Sequence, residues 1–180
     1  YYREQQNLQA NVQDFNREIT HLNDYQEIIS LYYSSVKNTL LPTAIHIFLR
    51  EGANGDFTAY EVNGSKTDIR FATGSPLIEI LTEQDNNLLT IEAGEKWNHE
   101  LRIDQPRLRL LKAQAIVGLA GRNDLIGFVL LAPPSQKKTY SYEEIRYLTD
   151  VTSQLAIATE RSQVVGTLER RVQELDVLSQ

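Results

Sequence analysis

Apolar residues recur at alternating intervals of three and four along the first forty residues: Leu8, Val12, Phe15, Ile19, Leu22, Ile29, Tyr33, Val36 and Leu40, with Gln26 at the one polar seam position. A heptad sustained over about four repeats predicts a single amphipathic helix from Tyr2 to Leu40 that carries a helix–helix seam. One polar residue in such a seam commonly fixes register or partner number. Tyr25 to Leu41 is expected to pack on the core of the domain and Leu8 to Leu22 to meet a second chain. The plainer alternative is one amphipathic helix lying on its own domain. Pro42 ends the helix, because the residue before a proline is driven out of the α region.

The period then changes to two. In Thr43 to Arg50, Ile45, Ile47 and Leu49 face one way, and Ala44, His46 and Phe48 the other, so a central strand covered on both sides is predicted. Phe57 to Val62 and Lys66 to Ala72 read as a hairpin about Asn63-Gly64, with Glu61 opposite Lys66 if the loop has two residues. Ser75-Pro76 opens a short helix to about Thr82, and Leu88 to Glu92 is a short strand. Ala93 to Lys112 is irregular. Ala113 to Ala120 and Leu125 to Ala132 are almost wholly apolar strands joined by Gly121-Arg-Asn-Asp124, a buried hairpin at the sheet centre.

Ser141 to Gln180 reads as one helix of about 60 Å. Ser141 and Glu144 form a capping box, with Tyr140 and Ile145 at the positions of a hydrophobic staple. Ile145, Leu148, Thr152, Leu155 and Thr159 make a stripe toward the sheet. Val151, Ala158, Val165, Leu168, Val172 and Leu175 trend along a neighbouring stripe toward a partner, with a phase slip near Gly166. The half after Glu160 is too polar for a core and is expected to leave the domain. A globular middle with a helix leaving each end is the layout of a module wired in series.

Composition narrows the class. The chain has 180 residues, 41% apolar and 23% charged, a net charge of −6 and a pI of about 5.1. These values are ordinary for one soluble domain with extensions and argue against a nucleic-acid-binding face. No apolar run is long enough to insert directly in a membrane. The chain begins Tyr1-Tyr2 and holds no Met, as expected of a piece of a longer protein. The absence of cysteine excludes disulfides, thiolate metal sites and thiol nucleophiles.

Helix, six short strands with helices among them, and a long exit helix resemble a GAF domain over about residues 28–165. The motifs that carry the resemblance are the paired apolar strands of Gln114 to Leu131, the Tyr140-Ser-Tyr-Glu-Glu144 helix start, the Leu148 to Ala158 pattern, and the Glu160-Arg161 exit. Ser75-Pro-Leu-Ile-Glu-Ile-Leu81 is similar to the variant in bacterial membrane-associated sensor kinases. Gly118 departs from the proline common in the family and is expected to loosen the strand. A PAS fold is the runner-up. The resemblance implies an α+β, profilin-like fold: a six-stranded antiparallel sheet, terminal helices on one face, and a small-molecule pocket or its remnant on the other. It further implies a coiled-coil signalling helix at 1–27, the GAF domain at 28–160 and a linker helix at 161–180. The implied function is a non-catalytic sensory or regulatory module. It would form a homodimer and relay a signal to a downstream output domain in the same chain, such as the histidine kinase of a two-component system. Its location would be the cytoplasm, or the soluble part of a membrane-anchored protein. The alternative is a ligand-free dimerisation spacer.

Candidate chemistry is sparse. Without Cys, covalent bilin attachment and the known cysteine-dependent sulfoxide reductase activity of the family are excluded, and no cofactor is identifiable. The Asn-Lys and Asp-Glu dipeptides of cyclic-nucleotide-binding members are missing. His21 reads as solvated, His46 as a satisfied strand residue, and His99 as the best haem or metal candidate, although Ile103 stands where a zinc-protease helix needs its second His. Phe71, Trp97 and Leu101 are candidate walls of a pocket for an unknown small molecule, with Arg102 or Arg107 reaching an anionic group. In the preferred reading, Trp97 and Leu101 close the core and the arginines sit in water. The candidate dimer interface is Leu8, Val12, Phe15, Ile19 and Leu22 with Val165, Leu168, Val172 and Leu175.

Overall fold

The computed structural model describes residues 2–52, 55–92, 94 and 96–179, and the side chains of these except 164–167. Alternating apolar positions build a six-stranded sheet from β1 (Ile45–Arg50), β2 (Phe57–Tyr60), β3 (Lys66–Phe71), β4 (Leu88–Thr90), β5 (Ala115–Ala120) and β6 (Leu125–Leu131). The spatial order is β3-β2-β1-β6-β5-β4 and every pairing is antiparallel. β1 and β6 lie at the centre, with Ile47 opposite Val129 and Phe48 opposite Phe128. Gly127 is required there: a Cβ on it would stand 2.4 Å from the Phe48 carbonyl oxygen.

Helices cover both faces. On one side lie α1 (Tyr2–Ile19), α2 (Tyr25–Leu40) and α5 (Tyr142–Ser179); on the other lie α3 (Pro76–Glu83), a 3₁₀ turn at His99–Leu101 and α4 (Gln105–Leu110). Because successive strand residues face opposite ways, Ile45, Ile47 and Leu49 join the core under α2 and α5, while Phe48 joins the core under α3 and α4. The expected capping box is formed: Glu144 accepts from the Ser141 amide at 2.8 Å, and the Ser141 hydroxyl accepts from the Glu144 amide at 3.2 Å. Lys137 adds an ion pair to the same carboxylate.

Four expectations are corrected. The predicted single helix over residues 2–40 is two helices, broken at Thr20–Asp24. Asp24 accepts from the Glu27 amide at 3.2 Å and starts α2 afresh. The break folds the first helix back, so Leu8, Phe15 and Ile19 are buried in the chain's own core, with Val12 and Leu22 partly buried beside them. Phe15 meets the Tyr32 ring edge-on at 6.1 Å. Those five residues therefore pack within the chain where a second chain was expected, because the hairpin brings α2 and α5 within reach of them.

Val151 and Ala158 are likewise fully buried in the chain's own core and do not face outward. Finally, Lys66 stands opposite Tyr60, not Glu61. The loop is longer than two residues, closed by Glu61 N–H to Ser65 O at 2.9 Å with Gly64 at φ 83°, and Lys66 pairs with Glu51 at 3.3 Å.

Candidate functional site

The face of the sheet expected to hold a pocket is filled by side chains. Phe48 stacks on Phe128 with centroids 4.5 Å apart, and Phe71 packs edge-on against both, at 5.2 and 5.4 Å. Leu77 and Leu81 from α3, Leu101 from the 3₁₀ turn and Leu108 from α4 close over them. The Asp104 carboxylate, itself buried, accepts from the Leu77 amide at 2.8 Å and so ties the start of α3 to the turn before α4.

The four candidate pocket residues are thereby dispersed. Phe71 and Leu101 lie inside the packed core, Trp97 is half-buried at its edge with the Arg109 guanidinium 5.6 Å above its ring, and Arg102 is exposed. Arg107 lies 4.9 Å over Phe71 and donates to the Arg70 carbonyl on the edge strand β3. That packing fits the reading in which Trp97 and Leu101 close the core. His99 and His21 are exposed, and no group of three or more metal-ligating side chains occurs among the described residues. His46 is half-buried, and desolvation pushes its pKa below the ordinary histidine value.

The opposite face carries the distinctive geometry. α5 spans 38 residues, about 57 Å at 1.5 Å per residue. Its inward face is buried up to Ser162, and every described side chain from Leu168 onward is exposed. Leu168, Val172 and Leu175 lie at spacings of four and three, each more than half exposed. This leaves an apolar stripe that none of the described residues covers. The Val165 side chain, assigned to the same stripe from sequence, lies outside the described residues.

Where α5 leaves the core, it is fastened to the entry helices. The Arg161 guanidinium donates to the carbonyl oxygens of Ile19 at 2.9 Å and Leu22 at 2.7 Å. Ile19 is the last residue of α1 and Leu22 lies in the turn after it; the Ile19 carbonyl also takes the Leu22 amide at 3.1 Å, so Arg161 adds to the bonding of that turn. Beside them, Tyr25 at the start of α2 packs against Tyr60 with centroids 6.0 Å apart and hydrogen-bonds Gln163. Burial drives the Tyr25 pKa upward, and that hydrogen bond opposes the shift. Deeper in the layer, Tyr32 of α2 meets Thr152 of α5 at 2.8 Å, and the Tyr147 hydroxyl donates to the Ser35 carbonyl at 3.3 Å.

Sequence reasoning missed the Arg161 contact and the break at residues 20–24. A signal for the break was present in Asn23-Asp24 followed by Glu27, the spacing of a helix start. The stronger heptad obscured it. Nothing in the sequence pairs Arg161 with residues so distant along the chain.

No protein-family model matches the sequence, and a search of curated proteins found no similar chain. Solved structures do match. The GAF domain of a phosphoenolpyruvate-protein phosphotransferase from Coxiella burnetii aligns with a TM-score of 0.67 at 13% identity, covering 91% of this chain and 98% of that one. A methyl-accepting chemotaxis protein fragment aligns at 0.64 with 13% identity, covering 84% and 98%. The phycoerythrobilin-bound GAF domain of a cyanobacterial phytochrome aligns at 0.61 with 13% identity, covering 88% and 97%. The bilin belongs to that protein; this chain has no cysteine to which one could be attached through sulfur. With the six-stranded antiparallel sheet, the helices on both of its faces and this agreement across most of its length, the chain has the fold of GAF domains.

Proposed function

We propose that this chain is a sensory or regulatory module that forms a homodimer through α5 and relays a signal along that helix to an output domain in the same protein. A histidine kinase is one such output. The supporting observation is the uncovered stripe of Leu168, Val172 and Leu175 on a helix that continues past its last buried residue. Two copies of the stripe pack as a coiled coil, which has discrete arrangements, so a small shift at one end selects a state at the other. The linker from Arg161 to Gln180 is the conductor in this reading, and no catalytic role is assigned to the chain. No helix among the described residues is long and apolar enough to cross a membrane.

Inserting one residue after Thr167 in the whole protein tests the relay. It rotates everything downstream by about 100° relative to the domain. Altered output supports relay through helix register, and unchanged output contradicts it.

A second reading, a ligand-free dimerisation spacer, draws on the side chains that fill the pocket face, Phe48, Phe71, Phe128, Leu101 and Leu108. An absorption scan and a native mass spectrum of the purified protein separate the two. A bound small molecule favours a sensor, and the bare polypeptide mass favours the spacer.

A further inference from the structure

The heptad that predicts one helix and the turn that makes two are both real features of this chain, and they compete for the same atoms. The seam positions 8, 12, 15, 19, 22, 26, 29, 33, 36 and 40 keep their alternation of four and three straight through the turn. The turn segment Thr20-His-Leu-Asn-Asp24 contains neither glycine nor proline, and none of its residues has a positive φ. Nothing in its backbone chemistry forbids a helix. In a continuous helix the Ile19 carbonyl would accept from the Asn23 amide, and the Leu22 carbonyl from the Gln26 amide. In the folded-back form, Arg161 donates to both oxygens from α5. The exclusion lies in the backbone of the turn: there Ile19 O takes the Leu22 amide at 3.1 Å in place of the Asn23 amide, and Arg161 braces that turn through the second lone pair of Ile19 O and through Leu22 O.

We propose that Arg161 is a latch that holds α1 folded back, and that its release lets α1 and α2 join into one straight helix whose α1 half docks on the α2 and α5 of a second copy of this chain. The occupant follows from the contacts. α1 buries Leu8, Phe15 and Ile19 against α2 and α5, and straightening carries those side chains away while opening the groove they filled. A second copy offers an identical groove to the departing helix and an identical helix to the vacated one. Such an exchange remakes the packing of the hairpin and changes only the hinge. The latch carries a cost of its own, because among the described residues the buried Nε of Arg161 has no hydrogen-bond partner. Its place on α5, one residue before the last buried position, couples the entry helices to the exit helix. This inference rests on the proposed relay, since it gives that relay an upstream control.

The test uses the absence of native cysteine. The Asn11 amide donates to the Thr39 hydroxyl at 3.4 Å in the folded-back form, whereas 28 residues of straight helix would separate the two positions by about 42 Å. Spin labels at Asn11→Cys and Thr39→Cys report the intrachain distance by double electron–electron resonance when labelled chains are refolded with excess unlabelled protein. The background carries Leu168→Glu and Leu175→Glu, which disable the α5 stripe, so the result does not depend on dimerisation through it. Arg161→Ala is expected to produce a population near ~42 Å that grows with protein concentration alongside a dimer in sedimentation. Asn23→Pro in the same chain is expected to remove both, because proline lacks the N–H for Ile19 and clashes with that carbonyl in a helix. Where Arg161→Ala does not fold, Arg161→Met, which keeps an unbranched apolar stem but carries no N–H donor, is read in the same way. Only the short distance in the Arg161 variant, or a long distance without a dimer, overturns the latch.

Discussion

The hydroxyl of Tyr32 on α2 lies 2.8 Å from that of Thr152 on α5, and both residues are fully buried. Thr152 also bonds the Leu148 carbonyl at 2.6 Å. The Thr152 hydrogen is thereby committed to Leu148, so Tyr32 is the donor in the pair. Removing the two sides of this bond has unequal consequences. Tyr32→Phe deletes the donor and leaves a threonine that still has a partner, a loss of about 1 kcal/mol. Thr152→Val strands a buried phenol and is expected to cost more, about 1–3 kcal/mol. Chemical denaturation of both single variants and the double variant checks this, with the double costing less than the sum of the singles.

Gly127→Ala places a methyl against the carbonyl of Phe48 on the neighbouring central strand, a clash with backbone that no rotamer change relieves. A loss of about 1–3 kcal/mol is expected, together with faster amide exchange along β1 and β6. A thermal melt and hydrogen exchange measure both effects.

Phe71→Ala opens a void where the aromatic cluster now fills the pocket face. The expected loss is about 3–5 kcal/mol, read by denaturant unfolding. The apolar lining of Phe48, Phe128 and Leu77 makes the void a site for a small aromatic molecule. Partial recovery of the melting temperature with excess benzene or indole is the accompanying prediction.

His46 supplies a pH dependence. Burial lowers its folded pKa below the unfolded value, so the unfolded chain binds the proton more readily. The contribution is fully present above the unfolded pKa of about 6.5 and is lost as pH falls from there toward the folded pKa. Stability curves at pH 7.5 and 5.5 are expected to converge for His46→Gln relative to the wild type.

Much of the fold was legible because local rules and tertiary packing agree. The capping box at Ser141 and Glu144, the switch to period two at Thr43 and the apolar pair β5 and β6 each name their element from a few residues. The first helix was not legible in the same way. Its heptad is equally satisfied by a straight helix with a partner and by a hairpin on its own core, and Asp24 with Arg161 decides between them. The pocket candidates were unreadable for a related reason. Trp97 and Arg102 sit in a segment without periodicity, and whether Phe71 lines a hole or fills one depends on how closely Leu101 and Leu108 approach it.

Sedimentation equilibrium of the purified chain, beside its Leu168→Glu/Leu175→Glu variant, tests the α5 stripe most directly. The account predicts a dimer for the wild type and a shift to monomer, with the fold intact, for the variant. A wild-type chain that stays monomeric at high concentration, with Leu168, Val172 and Leu175 still exposed to solvent, would contradict it.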